Sequence, residues 1–195
     1  AAMQLTHSVW HPGLVGQPTS EAKLPTVIAI HGHGAHSQDL LGLAPYLANG
    51  RLLMICPEAE FQIQPGMPSY TWFNAPPDLK RAPEEFERVV GNVSNFITEA
   101  QQQYNADPNR TVVLGFSQGG GIAYRLALGD PGRFAGLAAL STWLPDEAAE
   151  QASDDKAALA ALPTIVQHGS ADPMVAIDRG QHSRDRLAQL GVALE

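Results

Sequence analysis

A single cysteine, Cys56, stands in 195 residues. That excludes an intrachain disulfide framework and gives no sign of a secretory fold. Charge is sparse as well, at 16% of residues against 44% apolar, the balance of an ordinary soluble globular protein. What charge there is has one dominant sign. The net value of −8 argues against nucleic acid and against an anionic membrane surface as partners. No apolar run approaches the length of a membrane span. The start, Ala1-Ala2-Met3-Gln4, lacks the basic and apolar regions of a signal peptide, so the expected location is cytoplasmic. The length fits one domain, residues 1–195, with a sizeable core.

What the chain does have is Thr111-Val112-Val113-Leu114-Gly115-Phe116-Ser117-Gln118-Gly119-Gly120-Gly121. The Gly115-x-Ser117-x-Gly119 spacing fits a nucleophile elbow, a sharp strand-to-helix turn that holds a serine Oγ clear of the sheet edge. Small residues have a physical task there. The backbone at the serine is strained, and Cβ atoms on either side would clash. The spacing alone also fits an ordinary turn. A buried-strand pattern before it and a helical run from Ile122 to Leu128 after it favour a catalytic serine.

Leu5, His7 and Val9 alternate as on a short edge strand, turned by Pro12-Gly13. Apolar runs predict strands at 25–30, 51–56, 111–114, 134–141 and 163–167. Helical spacing predicts a helix over 37–47 with Ser37 as its N-cap, and one from Pro83 to Tyr104. Two more run from Ser117 to near Asp130 and over 176–190, the last stopped by Gly191. Residues 105–110 read as a turn and 146–162 as a solvated excursion with a short helix. Val192-Ala193-Leu194-Glu195 begins another strand. Cys56 reads as core rather than nucleophile, since no loop glycine or helix start supports it. The result is an α/β fold, a mostly parallel central sheet with helices on both faces.

In such a fold the carboxyl ends of the strands share one rim. The rim collects the His31–His36 loop, Ser117, the Trp143 region and Asp172. The loop His31-Gly32-His33-Gly34-Ala35-His36 has three readings: a metal site, half of an oxyanion hole built from backbone N–H groups, or a plain turn. No cysteine and no second histidine cluster joins it, so neither metal nor cofactor is expected. The connection 57–82 is broken by prolines at 57, 65, 68, 76 and 77 but carries Phe61, Tyr70, Trp72 and Phe73. Trp72 and Phe73 are candidates for contact with an apolar substrate part, set against simple core packing. Trp143-Leu144-Pro145 borders the same cleft.

Asp172 follows a late strand, where the orienting acid of a Ser…Asp…His triad would lie; the alternative is a loop turn before Pro173. The base should then follow Asp172, and only His182 does, in mid-helix. His168 reads as a loop anchor and His31 as structural for its own loop. No histidine here completes the triad.

At these residues the sequence resembles the phospholipase/carboxylesterase family of α/β-hydrolases, which includes the acyl-protein thioesterases. The landmarks are His31-Gly32-His33-Gly34, Pro68-Ser69-Tyr70-Thr71-Trp72-Phe73, Gly115-Phe116-Ser117-Gln118-Gly119-Gly120 and His168-Gly169-Ser170-Ala171-Asp172-Pro173-Met174-Val175. The resemblance implies Ser117 as nucleophile, Asp172 as triad acid, and the backbone N–H groups of His33 and Gln118 as the oxyanion hole. Position 33 is commonly leucine in such enzymes, but the backbone supplies the contribution. Trp72 and Phe73 match a substrate-side landmark.

The implied activity is a serine carboxylesterase acting on small to medium acyl esters. Acyl-protein thioesterase or lysophospholipase activity, and a non-catalytic binding protein on the same fold, are the alternatives. Similar enzymes are often homodimers. The family's histidine follows the last strand, and this chain stops as that strand begins. The expectation is therefore a C-terminally incomplete domain, lacking the closing strand and helix and inactive alone. A truncated or cleaved chain, a separate C-terminal segment supplying the histidine, or a longer chain of which this is a piece would each explain it.

Overall fold

The computed structural model describes residues 5–15, 23–75 and 81–195. Ala1–Gln4 and the two prolines at 76 and 77 lie outside the described residues. Six strands form one sheet in the order β1 (His7–Trp10), β3 (Leu53–Pro57), β2 (Leu24–Ile30), β6 (Ala106–Phe116), β7 (Gly136–Leu140) and β8 (Thr164–Gln167). Only β1 runs antiparallel to its neighbour. A separate hairpin pairs β4 (Phe61–Gln62) with β5 (Tyr70–Thr71).

The alternation of side chains along each strand divides the apolar residues between two layers. Ile28, Ile30, Leu53, Ile55, Val113, Leu137 and Ala139 join one cluster. Their neighbours Val27, Ala29, Met54, Cys56 and Leu114 join the other. The first layer receives α1 (Pro83–Gln103) and α2 (Gln118–Gly129). Helix α1 presents Phe86, Val89, Val90, Val93, Phe96, Ile97 and Ala100 as one buried stripe. It starts with Pro83 followed by Glu84 and Glu85, which suit a free N–H end and its positive dipole. The short helices α3 (Asp146–Glu150) and α4 (Lys156–Ala161) precede β8, and α5 (Ile177–Leu190) follows it. Gly191 ends α5 at φ 93°, in the left-handed region glycine favours.

The second layer is covered differently from expectation. No regular α-helix spans 37–47. Leu40–Gly50 instead winds as 3-10 turns, interrupted where Leu47 is extended and Ala48 and Asn49 adopt positive φ. Pro45 removes one N–H donor from this segment. Nor does Ser37 cap a helix. Its N–H and hydroxyl both donate to the Glu58 carboxylate, at 3.2 Å each. Cys56 is buried in this layer, and burial pushes its thiol up to about 12, so it is packing and not a nucleophile.

Residues 106–110 also depart from expectation, belonging to β6 rather than to a turn. Between the pairs Leu24↔Ala106 and Thr26↔Thr111 the register slips, so the strand carries a bulge. The Asp107 carboxylate fills it, accepting from the Asn109 N–H and from Arg110 Nε. At the far edge, Leu194 bridges Thr164 in parallel, and the Glu195 N–H donates to the Thr164 carbonyl. That is the strand-like start expected at 192–195. Among the described residues, no helix is long and apolar enough to cross a membrane.

Candidate active site

Central strand β6 ends at Phe116, and α2 begins at Gln118, so Ser117 alone makes the turn between them. Its backbone takes φ 52°, ψ −118°, a conformation costly for any residue with a Cβ. Three hydrogen bonds hold it there. The Ser117 N–H donates to Leu140 O, while its carbonyl accepts from the Gly120 N–H and the Thr142 hydroxyl. The glycines are required by close approach. A Cβ on Gly115 would overlap Gly119 O and lie 2.6 Å from Gly120 Cα. One on Gly119 would overlap Ile30 O and lie 2.5 Å from His31 O. Helix α2 can reach the sheet only without those atoms.

The loop after β2 lies beside this turn. His31 is 1% exposed, and its Nε2 accepts from the Ala59 N–H. Its Nδ1 therefore carries the proton and donates to Gly32 O at 2.7 Å. Burial holds the ring below its ordinary 6.5, against the raising effect of the Gly32 bond and of Glu58 and Asp39. His31 is a neutral strut between the ends of β2 and β3. His33 is exposed, with Nδ1 3.1 Å from the Thr71 hydroxyl. The His36 Nδ1 accepts from the Gln38 N–H. The three rings thus have separate partners. Among the described residues, no three His, Cys, Asp or Glu side chains are grouped to hold a metal.

The His31 geometry has a pH consequence. Because the folded value is lowered, the unfolded chain binds a proton that the folded one refuses. Stability is then full above pH 6.5 and falls as pH drops below it, by up to about 1.4 kcal/mol per unit. Urea unfolding at pH 7.5, 6.5 and 5.5 should show a steeper loss in the wild type than in His31→Gln. Parallel profiles would remove His31 as the cause.

The connection before α1 is divided between support and wall. Of the two readings of Trp72, substrate contact and core packing, its placement favours packing: the side chain is 1% exposed and is not among those lining the cavity at Ser117. Its indole N–H donates to His31 O at 2.8 Å, and its ring lies 5.2 Å from the His31 ring. It supports the loop from beneath. Phe73, one residue on, does line the cavity. The Gln118 side chain pins this wall, its Oε1 accepting from the Trp72 N–H at 3.0 Å.

The cavity at Ser117 measures about 170 Å³, lined by His33, Phe73, Arg81, Phe86, Gln118, Gly121, Trp143 and Pro145 as well as the serine. Trp143 also lines a larger neighbouring cavity of about 520 Å³, together with Arg81, Glu147, Arg179 and His182. The Arg179 guanidinium sits 3.9 Å over the Trp143 ring. Two backbone N–H groups of residues that line the cavity at Ser117 have no hydrogen-bond acceptor among the described residues. Gln118 is the first residue of α2 and has no intrahelical partner, and no loop acceptor takes the His33 N–H among the described residues.

Asp172 lies in the loop after β8, two strands from Ser117. The N–H groups of Val175 and Met174 both donate to its Oδ1, at 2.9 Å, and hold its carboxyl below the ordinary 3.8, helped by His168 and the Ser141 hydroxyl. It is ionised throughout the neutral range. The contact with Ser141 sets it against the end of β7, on the same rim as Ser117. His168 anchors the loop, donating from Nε2 to Val175 O at 2.6 Å, with Asp172 Oδ2 3.8 Å away. His182, on α5, lines only the larger cavity. No described histidine hydrogen-bonds Ser117 or Asp172. The site residues not anticipated from the sequence are Thr142 and Arg81, neither in a recognisable local pattern, and Phe86, which the stripe of α1 marks only as core.

A mostly parallel sheet whose central strand raises a strained serine before a helix defines an α/β-hydrolase. The chain belongs to the phospholipase/carboxylesterase family, whose model matches residues 14–193. It is 31% identical to acyl-protein thioesterase 1 of Mycosarcoma maydis, over 89% of this chain and 80% of that protein. It is 30% identical to acyl-protein thioesterase 1 of Cryptococcus neoformans, over 87% of this chain and 75% of that protein. Among solved structures, esterase PE8 superposes with a TM-score of 0.78 at 22% identity, covering 98% of this chain and 86% of the other. The carboxylesterase of Bacillus cereus superposes at 0.77 with 20% identity, covering 98% and 83%. At these identities the superpositions speak for the fold alone.

Proposed function

We propose that the protein is a serine carboxylesterase that cleaves short acyl esters through an acyl-enzyme. The observation that carries this reading is the backbone of Ser117, held at a strained φ and ψ on the wall of a cavity that His33 and Gln118 also line. Ser117 Oγ attacks the acyl carbon and gives its proton to a base. The oxyanion is met by the His33 and Gln118 N–H groups, which need no reorganisation to receive it. The carbon–oxygen bond to the alcohol then breaks, and the alcohol leaves with the proton. Water repeats the attack on the acyl-enzyme and releases the acid. Asp172, already ionised and fixed by two N–H donors, is the orienting acid. The base in this reading is a histidine that Asp172 orients; among the described residues no imidazole hydrogen-bonds Ser117 or Asp172.

Short acyl groups are favoured by the cavity at Ser117, which is smaller than the ~300–1,000 Å³ of pockets for drug-sized ligands. The thioesterase reading draws on the named relatives, and the same site chemistry would serve a thioester. In the full-length protein, a fluorophosphonate should leave one adduct on Ser117 by intact mass. Across 4-nitrophenyl esters of increasing acyl length, kcat/KM should peak at short chains. A sharp optimum at long chains would sink the short-acyl reading. A folded protein that takes no adduct would be a binder on a hydrolase fold.

A further inference from the structure

We propose that Arg81 selects substrates whose acyl chain ends in an anionic oxygen group such as a carboxylate. This rests on the esterase reading and deepens it. Arg81 lies in the wall common to the cavity at Ser117 and the larger one beside it. Its guanidinium rests 4.3 Å over the Phe86 ring and 4.9 Å over the Phe73 ring, two side chains of the Ser117 cavity. The apolar walls therefore hold a cation at the place where an acyl chain would run.

The cation is poorly matched to its protein partners. Arg81 reaches Glu147 only through Nη2, at 3.4 and 3.5 Å. Its Nε is buried and meets no hydrogen-bond acceptor among the described residues. Arg125, on α2, shows what a satisfied structural arginine looks like here. It makes a two-pronged pair with Glu87, at 2.9 and 3.0 Å. Arginine brings five N–H donors in a fixed fork, so Arg81 keeps donors in reserve. The Arg81 side chain is 21% exposed, and a half-buried charge with unfilled donors is stabilised by an oxyanion that enters beside it. The cavity at Ser117 is small, about 170 Å³, and Arg81 shares its wall with Ser117, so a chain acylating Ser117 runs beside the guanidinium. The neutral alcohol is left to the larger cavity.

A matched ester pair tests this in the full-length protein. Mono-4-nitrophenyl glutarate carries a terminal carboxylate, and 4-nitrophenyl pentanoate is its neutral counterpart. Arg81→Met keeps an apolar stem against Phe73 and Phe86 but removes the charge. It should lower kcat/KM for the glutarate at least about tenfold, the range of one charged hydrogen bond, and leave the pentanoate within about threefold. Equal losses on both esters would make Arg81 a strut between the start of α1 and α3, and no loss on either would make it a bystander. Both results overturn the proposal.

A binding arm separates this from the esterase reading. Glutaramate and pentanamide, which lack an ester, are titrated against tryptophan fluorescence. Preference for glutaramate that disappears in Arg81→Met supports the proposal even if neither ester is turned over, an outcome that would defeat the esterase reading instead. Equal binding of the two amides overturns it.

Discussion

Gly119→Ala should lower the melting temperature by roughly 10–15 °C, corresponding to more than about 4 kcal/mol. The added Cβ would overlap the carbonyl of Ile30 and lie 2.5 Å from that of His31. Both atoms are backbone, at the end of a central strand paired on each side, so no side-chain rotation relieves the clash. Either α2 lifts off the sheet or β2 bends, and each disrupts a layer that holds Ile122, Ala123 and Tyr124 with no solvent exposure. Gly91→Ala is the control. It lies inside α1 with nothing within 4 Å of the new atom, and it should stabilise by about 0.5–1 kcal/mol. Thermal unfolding of the two variants beside the wild type decides the matter. Similar shifts in both would mean that the approach of α2 to the sheet is not what demands glycine at 119.

The elbow was legible because its constraint is local. Four glycines and a serine within seven residues have few uses after an apolar strand, and the strand itself alternates between two buried layers. Helix α1 was legible for the same reason, since a stripe from Phe86 to Ala100 repeats at one period. The Leu40–Gly50 segment was not. Leu40, Leu41, Ala44 and Leu47 keep helical spacing, yet Pro45 and the positive φ of Ala48 and Asn49 give 3-10 turns that bury only Leu40, Ala44 and Gly50. Spacing reports which residues face inward, not the pitch that puts them there.

Side-chain direction set the other limit. Trp72 and Phe73 are adjacent and equally aromatic, but one lies beneath the loop and the other faces the cavity. Only the bonds of Trp72 to His31 O and of its backbone to Gln118 decide which is which. Asp172 shows two readings joined. It is the turn before Pro173, through its bonds to Met174 and Val175, and those bonds are what keep it ionised on the rim. Arg81 had no signal, because its meaning depends on Phe73, Phe86 and Glu147 meeting it in space.

Two substitutions at Ser117 should separate the strain of the elbow from its chemistry. Both remove the hydroxyl, so in the full-length protein both should cut ester hydrolysis by about 10³-fold or more and abolish the fluorophosphonate adduct. They should differ in stability. Ser117→Ala keeps a Cβ at φ 52°, ψ −118° and therefore keeps the strain, so its unfolding midpoint should match the wild type. Ser117→Gly relieves about 1–3 kcal/mol of backbone strain and returns about 0.5–1 kcal/mol through the greater freedom of the unfolded glycine. The net expectation is a gain of about 0.5–2 kcal/mol, read as a higher denaturant midpoint at unchanged slope. A glycine variant no more stable than the alanine one would mean that the bonds to Leu140, Gly120 and Thr142 have made this backbone a relaxed one. A glycine variant that is more stable and inert would mean that the fold holds Ser117 in place at a cost, and that what the cost secures is the position of one oxygen.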